Sequence, residues 1–277
     1  MGAQNNSFII HDLEGPLTGV YLSVIVPTYN ESENIRWLLE ALIATLDAQL
    51  PNDYEVIVVD DNSPDQTWKI VQELSSDYPQ VQLIRRNDER GLSSAVIRGW
   101  QRSRGQFLGV MDGDLQHPSA ILPKLIQKTR GNPHLDLVVA TRYRGGGGVN
   151  KRHIRQRIIS RAAQVLGVIL LPGVVMRVSD PMSGYFIVRR SAVAERAFKP
   201  LGYKILLEVI AKGNIREIQE VGYIFQDRRG GSSKRGLNIY GEYVLQLIQL
   251  RLNVWFHSTI VNSCGIINKN NPEDRNV

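Results

Sequence analysis

Leu22-Ser23-Val24-Ile25-Val26 is an apolar run, and it stops in Pro27-Thr28-Tyr29-Asn30-Glu31, a proline followed by polar residues. The period then changes. Ile35, Leu38, Leu39, Leu42, Ile43 and Leu46 recur at offsets 0, 3, 4, 7, 8 and 11, one apolar stripe on a helix running from about Glu31 to Leu50. A strand that does not alternate is buried on both faces. With an amphipathic helix directly behind it, it opens a β-α-β unit.

The same pattern continues outward from this stretch. Glu55 to Val59 is a second continuous apolar strand. Ser63-Pro64-Asp65-Gln66 has the spacing of a cap, an N1 proline and a capping box, which predicts a helix starting there. Val81 to Ile84, Phe107 to Met111 and Leu135 to Ala140 read as further strands, and Leu92, Ala95, Val96 and Gly99 as a helix face. The expected fold class is therefore α/β, a mostly parallel sheet with helices on both faces. The second half is less regular. A helix is expected from about Arg155 to Leu171, stopped by Pro172-Gly173, and strands at Ile187-Val188 and Val221 to Phe225. A last helix, from about Tyr240, carries Val244, Leu247, Ile248, Leu252 and Trp255 at helical spacing. The domain reading is a loose tail over 1–18, one domain over 19–237, and a C-terminal helix with a second tail over 238–277.

Composition narrows the class. Of the 277 residues, 43% are hydrophobic and 22% charged, which excludes a mostly disordered chain. The lone Cys264 excludes a disulfide framework and a cysteine-built zinc site. The least charged stretch, Leu252 to Ile267, is broken by Asn253, His257, Asn262 and Ser263 and is too short to span a bilayer. The net charge is +6, yet Leu137 to Ser179 contains no acid and eight basic residues, among them Arg142, Arg144, Arg157 and Arg161. The basicity is local, and the rest of the chain is net acidic. Such a patch suits nucleic acid, an anionic membrane or a phosphorylated substrate. No zinc module or aromatic-rich sheet motif accompanies it, so nucleic acid is not the expected partner.

In an open parallel sheet, ligands bind at the carboxyl ends of the strands. The unusual polar residues fall there: Pro27 to Glu31, Asp60-Asp61-Asn62-Ser63, Asp112-Gly113-Asp114-Leu115-Gln116-His117-Pro118, and Thr141-Arg142-Tyr143-Arg144. Asp112 and Asp114 close an apolar strand two residues apart, which puts both carboxylates on one side of an extended segment. Two such carboxylates repel unless a cation or a proton sits between them. Hard divalent ions take a few carboxylate oxygens and complete their shell with water and phosphate.

Together, Val24 to Glu31, Val58 to Asp65 and Met111 to Pro118 resemble the family 2 glycosyltransferases of GT-A fold, and within them the dolichyl- or polyprenyl-phosphate mannosyltransferases. Further likeness lies in Arg142-Tyr143, Arg157 to Arg161, Asp180 to Phe186, Gly202 to Glu208, and Phe225 with Arg228, Gly231, Ser233 and Lys234. The resemblance implies a metal-dependent, inverting transfer of a sugar to a lipid phosphate. It implies that Pro27, Tyr29, Glu31 and Asp61 line the nucleoside pocket. Asp112, Asp114 and Gln116 would hold Mg²⁺ or Mn²⁺ against the sugar-nucleotide diphosphate. Arg228 and Lys234 would close over that diphosphate. Arg142, Arg157 and Ser160 would receive the lipid phosphate, and Lys204 would contact substrate. Asp112, Asp114 and Arg142 are the expected catalytic residues. Gly113 stands where the family more often has Ala, and Ser232 where it often has Glu.

The residues alone agree with this chemistry. A phosphate acceptor is already anionic and needs no general base, whereas a hydroxyl acceptor would need one, and Glu208 is then the acid to suspect. The open alternatives are a UDP-glucose or other UDP-sugar transferase on a polyprenyl phosphate, and, in a different class, a non-catalytic basic binding protein. The expected location is cytoplasmic, peripheral at the cytoplasmic face of a membrane. The anchor is the basic segment from Lys151 to Arg161 or the last helix, with room for a separate membrane-anchoring subunit.

Overall fold

The computed structural model describes residues 8–11, 19–145, 147–149, 165–199, 204–226 and 243–252. In chain order the elements are β1 (Phe8–Ile9), β2 (Leu22–Thr28), α1 (Ile35–Gln49), β3 (Tyr54–Asp60), α2 (Thr67–Asp77), β4 (Val81–Arg85), α3 (Leu92–Arg102), β5 (Phe107–Met111), α4 (Leu122–Gly131), β6 (Leu137–Thr141) and β7 (Gly148–Val149). There follow α5 (helical over 165–170), α6 (Pro172–Val175), β8 (Tyr185–Arg189), α7 (Arg190–Val193), β9 (Ala197–Phe198), α8 (Ile205–Lys212), β10 (Ile218–Gly222), β11 (Ile224–Phe225) and α9 (helical over 243–252).

Seven strands form one sheet in the order β10-β6-β8-β5-β2-β3-β4. Only β8 runs against its neighbours, pairing antiparallel with β5 and β6; the other pairs in this sheet are parallel. Side chains alternate between two cores. Val24, Val26, Val56 and Val58 pack with α1, α2 and α4, while Ile25, Ile57 and Val59 pack with α3, α8 and α9. All six stripe residues of α1 are buried, and each contributes about 1.5–3 kcal/mol by leaving water.

The chain winds from β2 outward through β3 to β4, then crosses back to place β5 on the other side of β2. The carboxyl ends of β2 and β5 therefore flank the point where the winding reverses, the position at which such sheets open a crevice for a ligand.

Three local expectations are corrected. The helix expected at Ser63-Pro64 begins instead at Thr67. Ser63 is drawn away by buried Asp60, whose carboxylate accepts its N–H at 2.8 Å and its hydroxyl at 2.6 Å. Asp65 does the local turn work, accepting the Thr67 N–H at 3.0 Å, with Gln66 in the left-handed region. Pro172 does not only stop a helix; it also opens α6. Part of the supposed N-terminal tail is structured, since β1 pairs antiparallel with β9 and Ile10 is fully buried. Of the two later helices, 155–164, Tyr240 and Trp255 lie outside the described residues.

Candidate active site

The ends of β2 and β5 meet at Gly113. A Cβ placed there would lie 3.2 Å from Thr28 Cγ2, 3.4 Å from Pro27 O and 3.7 Å from Glu31 Cγ. This brings together Pro27, Glu31 and the Asp112–Asp114 pair. An alanine at 113 would need the Thr28 methyl to give by only a few tenths of an ångström. Glu31 is held by Asn34 Nδ2, which donates to its Oε2 at 2.8 Å, and its own N–H donates to Thr67 Oγ1 at 2.9 Å. Tyr29 lies below the Arg90 guanidinium, 5.4 Å from the ring centre.

Asp61 follows β3 and is buried. Burial pushes its carboxyl up, while the Gly91 N–H at 2.8 Å and the Arg86 fork pull the other way. Arg86 donates to Asp61 Oδ1 through Nε at 2.7 Å and through a terminal nitrogen. The ion pair fixes the connection between β4 and α3 against the end of β3.

Asp112 sits where β5 meets β8. A Cβ on Gly184 would collide with Asp112 Oδ2 and stand 2.7 Å from its Oδ1. The bare glycine makes a cradle for this carboxylate. Gly184→Ala is expected to push the Asp112 side chain out of place. Divalent-dependent nucleotide affinity should fall by roughly 10–100-fold, as for other groups that orient a metal ligand, with little change in nucleotide affinity without metal. Isothermal titration of both checks it. Asp114 is buried and accepts the Gln116 N–H at 3.2 Å, across Leu115, a non-glycine residue at φ 59°. Gln116 Nε2 donates to Gln226 O at 3.3 Å, so Oε1 is the amide atom with the chemistry to face a cation.

Directly after β6, Arg142 is committed to Asp180. Its Nε donates to Asp180 Oδ2 at 2.7 Å and a terminal nitrogen to Oδ1 at 2.8 Å. Burial opposes the guanidinium charge, but the Asp180 hydrogen bonds and charge raise its pKa above the ordinary arginine value. The guanidinium also lies 5.4 Å from the Phe225 ring centre. The His117 ring lies edge-on to the same Phe225 ring, 5.5 Å between centres. Arg142 and the Asp112 end of β5 thus border one wall. Lys204, ahead of α8, donates from Nζ to Met182 O at 2.9 Å, within the Asp180–Gly184 segment. Glu208, the acid suspected for a hydroxyl acceptor, is buried; its Oε1 takes the Lys199 N–H and Lys212 Nζ at 2.5 Å each. Arg157, Ser160, Arg228 and Lys234 lie outside the described residues.

Residues 23–196 match the model of the family described as Glycosyl transferase family 2. The chain belongs to that family. This family 2 glycosyl transferase is 43% identical over 231 residues to dolichol-phosphate mannosyltransferase of Pyrococcus furiosus, covering 83% of the chain and 63% of the relative's length. It is 36% identical over 237 residues to dolichol-phosphate mannosyltransferase of Saccharomyces cerevisiae, covering 82% and 86%. Among solved structures, glucosyl-3-phosphoglycerate synthase of Mycobacterium tuberculosis, in complex with Mn²⁺, uridine-diphosphate-glucose and phosphoglyceric acid, superposes with a TM-score of 0.65 at 19% identity, over 88% of this chain and 85% of that one. The fold is that of the GT-A glycosyltransferases, as the sequence implied.

In the sequence, Asp180 and Gly184 stand inside a longer motif, and nothing marks Tyr223. Asp180 was legible as an acid ending the acid-free stretch. Tyr223 carried no local signal, because its hydroxyl acquires a partner only through the fold.

Proposed function

We propose that this family 2 glycosyl transferase moves mannose from GDP-mannose to the phosphate of a dolichyl or polyprenyl lipid, with inversion at the sugar carbon, at a membrane surface. The observation that carries the reading is that carboxylate and guanidinium groups meet along one rim: His117, 3.3 Å from Asp112, and the Arg142 guanidinium both lie against the Phe225 ring. An anionic donor that departs as a diphosphate fits the carboxylates through a cation, and an anionic acceptor fits the guanidinium. The identity to two dolichol-phosphate mannosyltransferases supports the choice of sugar and lipid.

The residues at the carboxylate end suit a divalent ion. Two carboxylates and an amide oxygen are hard oxygen donors, and the Gly184 cradle leaves room for Asp112 to face them. Asp112, Asp114 and Gln116 would hold Mg²⁺ or Mn²⁺, which supplies charge neutralisation at the departing diphosphate. Pro27, Tyr29, Glu31 and Asp61 bind and orient the nucleoside, and Arg228 and Lys234 add cations to the diphosphate. Arg142, Arg157, Ser160 and Lys204 place the lipid phosphate for in-line attack on the sugar carbon. Orientation carries much of the rate, since the acceptor needs no deprotonation.

A lipid acceptor keeps its tail in the bilayer, so the protein must meet it at the surface. No helix among the described residues is long and apolar enough to cross a membrane. The α5–α6 segment and α9 pack together, with Tyr243 OH against Gly167. α9 divides its faces: Tyr243, Leu247 and Leu250 enter the core, while Leu245, Ile248 and Leu252 are exposed, as are Val165, Ile169 and Met176 of the α5–α6 segment. These apolar groups, with Lys151 to Arg161, are the proposed contact with the cytoplasmic face of a membrane.

Transfer from GDP-mannose to a short polyprenyl phosphate, with UDP-glucose in parallel, tests the activity; turnover only with UDP-glucose replaces the donor. Liposome sedimentation tests the surface. Binding should rise with anionic lipid and fall with salt. Neutralising Lys151, Arg152 and Arg155 should weaken it by roughly 100-fold, at about 1 kcal/mol per basic residue. Absence of binding to every liposome would point to an obligatory membrane-anchoring subunit.

A further inference from the structure

His117 is buried inside a ring of aromatics, 5.4 Å from the Tyr185 ring centre and 5.5 Å from those of Tyr223 and Phe225. An imidazole in such a box could serve packing alone, but both of its nitrogens are engaged. Nε2 lies 3.3 Å from Asp112 Oδ2, and Nδ1 lies 2.9 Å from Tyr223 OH. For a neutral imidazole, one tautomer makes both contacts attractive. The Tyr223 hydroxyl donates to Nδ1, so Nε2 carries the hydrogen and donates it to the carboxylate. Burial pushes the Tyr223 phenol well above its ordinary value, so it keeps the proton it donates.

Tyr223 is itself fixed by backbone. Its N–H donates to Thr141 O at 3.0 Å, and its O accepts the Gly148 N–H at 3.0 Å. Three residues further on, the Gln226 N–H donates to Gln116 O at 3.1 Å, while Gln116 Nε2 donates back to Gln226 O at 3.3 Å. The segment from Asp112 to His117 is therefore tied to the segment from Tyr223 to Gln226 by three hydrogen bonds, one between the His117 and Tyr223 side chains and two between Gln116 and Gln226.

We propose that Tyr223 and His117 are positioning residues for the donor site: Tyr223 fixes the His117 tautomer, and His117 turns the Asp112 carboxylate toward the cation it shares with Asp114. The inference rests on Asp112 being a metal ligand. A carboxylate held at one oxygen loses rotational freedom that it would otherwise lose on binding the ion. Partners of this kind set ligand orientation and basicity.

Three variants separate positioning from packing. Tyr223→Phe keeps the ring and removes the donor. His117→Leu keeps bulk and removes the Nε2–H. His117→Gln returns an N–H to the Nε2 position. Mn²⁺ affinity is read by electron paramagnetic resonance titration with GDP, and with UDP in parallel, beside metal-free nucleotide binding, thermal melting and the Mn²⁺ dependence of turnover. Tyr223→Phe and His117→Leu should lose about 10–100-fold in Mn²⁺ affinity, the range for groups behind a metal ligand, while metal-free nucleotide affinity holds. His117→Gln should regain most of the loss, and saturating Mn²⁺ should restore turnover in all three. If His117→Leu melts early, Tyr223→Phe decides. Parental Mn²⁺ affinity in Tyr223→Phe, or a His117→Gln variant as weak as His117→Leu, overturns the positioning role and leaves the metal reading intact. A parental protein that binds no Mn²⁺ with either nucleotide overturns both.

Discussion

Asp114→Asn should abolish divalent-dependent nucleotide binding and lower transfer by roughly 10²–10³-fold, the loss seen when one group stabilising transition-state charge is removed. The substitution is nearly isosteric. Asp114 is 8% exposed and accepts the Gln116 N–H through Oδ1 at 3.2 Å, a bond an asparagine oxygen can also accept. The turn and the fold therefore persist, and only the charge changes. A diphosphate leaving the sugar carries more negative charge than the bound donor, so removing one counter-charge weakens the transition state more than the ground state. The measurements are turnover with and without excess chelator, and the melting temperature of the variant. Full turnover in chelator, or an Asp114→Asn enzyme of parental rate, would remove the metal from the mechanism.

The parts of this fold that are legible in the sequence are those with a local cause. Six stripe residues of α1 are read directly from their spacing, and every one is buried. β5 runs from Phe107 to Met111 as its apolar run indicates. Sheet order is different. The insertion of β8 antiparallel between β5 and β6 depends on pairing partners distant in the chain. The pairing of Phe8 with Phe198 leaves no mark in the local pattern. At Ser63, a good local cap signal loses to a buried carboxylate that needs its hydroxyl.

The site divides in the same way. Polar residues at strand ends stand out because they interrupt buried runs, and the reversal of winding between β2 and β5 collects them. The supports behind them are less visible. Asp180 is a single acid after a basic stretch until it meets Arg142. Tyr223 lies in what the sequence offers as a strand, and nothing there announces a hydroxyl aimed at His117.

The second large effect concerns Arg142 and Asp180. Arg142→Ala should destabilise the protein by about 3–5 kcal/mol, because it strands a buried carboxylate without its counter-charge. Asp180 is fully buried, while the Arg142 side chain keeps 16% exposure, so the loss is larger from this side of the pair than from Asp180→Ala. That loss complicates the acceptor role, since a weakened enzyme uses every substrate poorly. A double variant, Arg142→Ala with Asp180→Ala, resolves it. Replacing both members of a buried pair is often close to neutral, so the double variant should recover most of the lost stability. If Arg142 receives the lipid phosphate, acceptor use stays impaired in the double variant, with KM for polyprenyl phosphate raised and donor affinity by calorimetry near the parental value. If Arg142 only braces the end of β6, acceptor use returns together with the melting temperature. Chemical denaturation of the three variants, beside acceptor titrations at saturating donor, distinguishes a group that binds substrate from one that holds its neighbours in place.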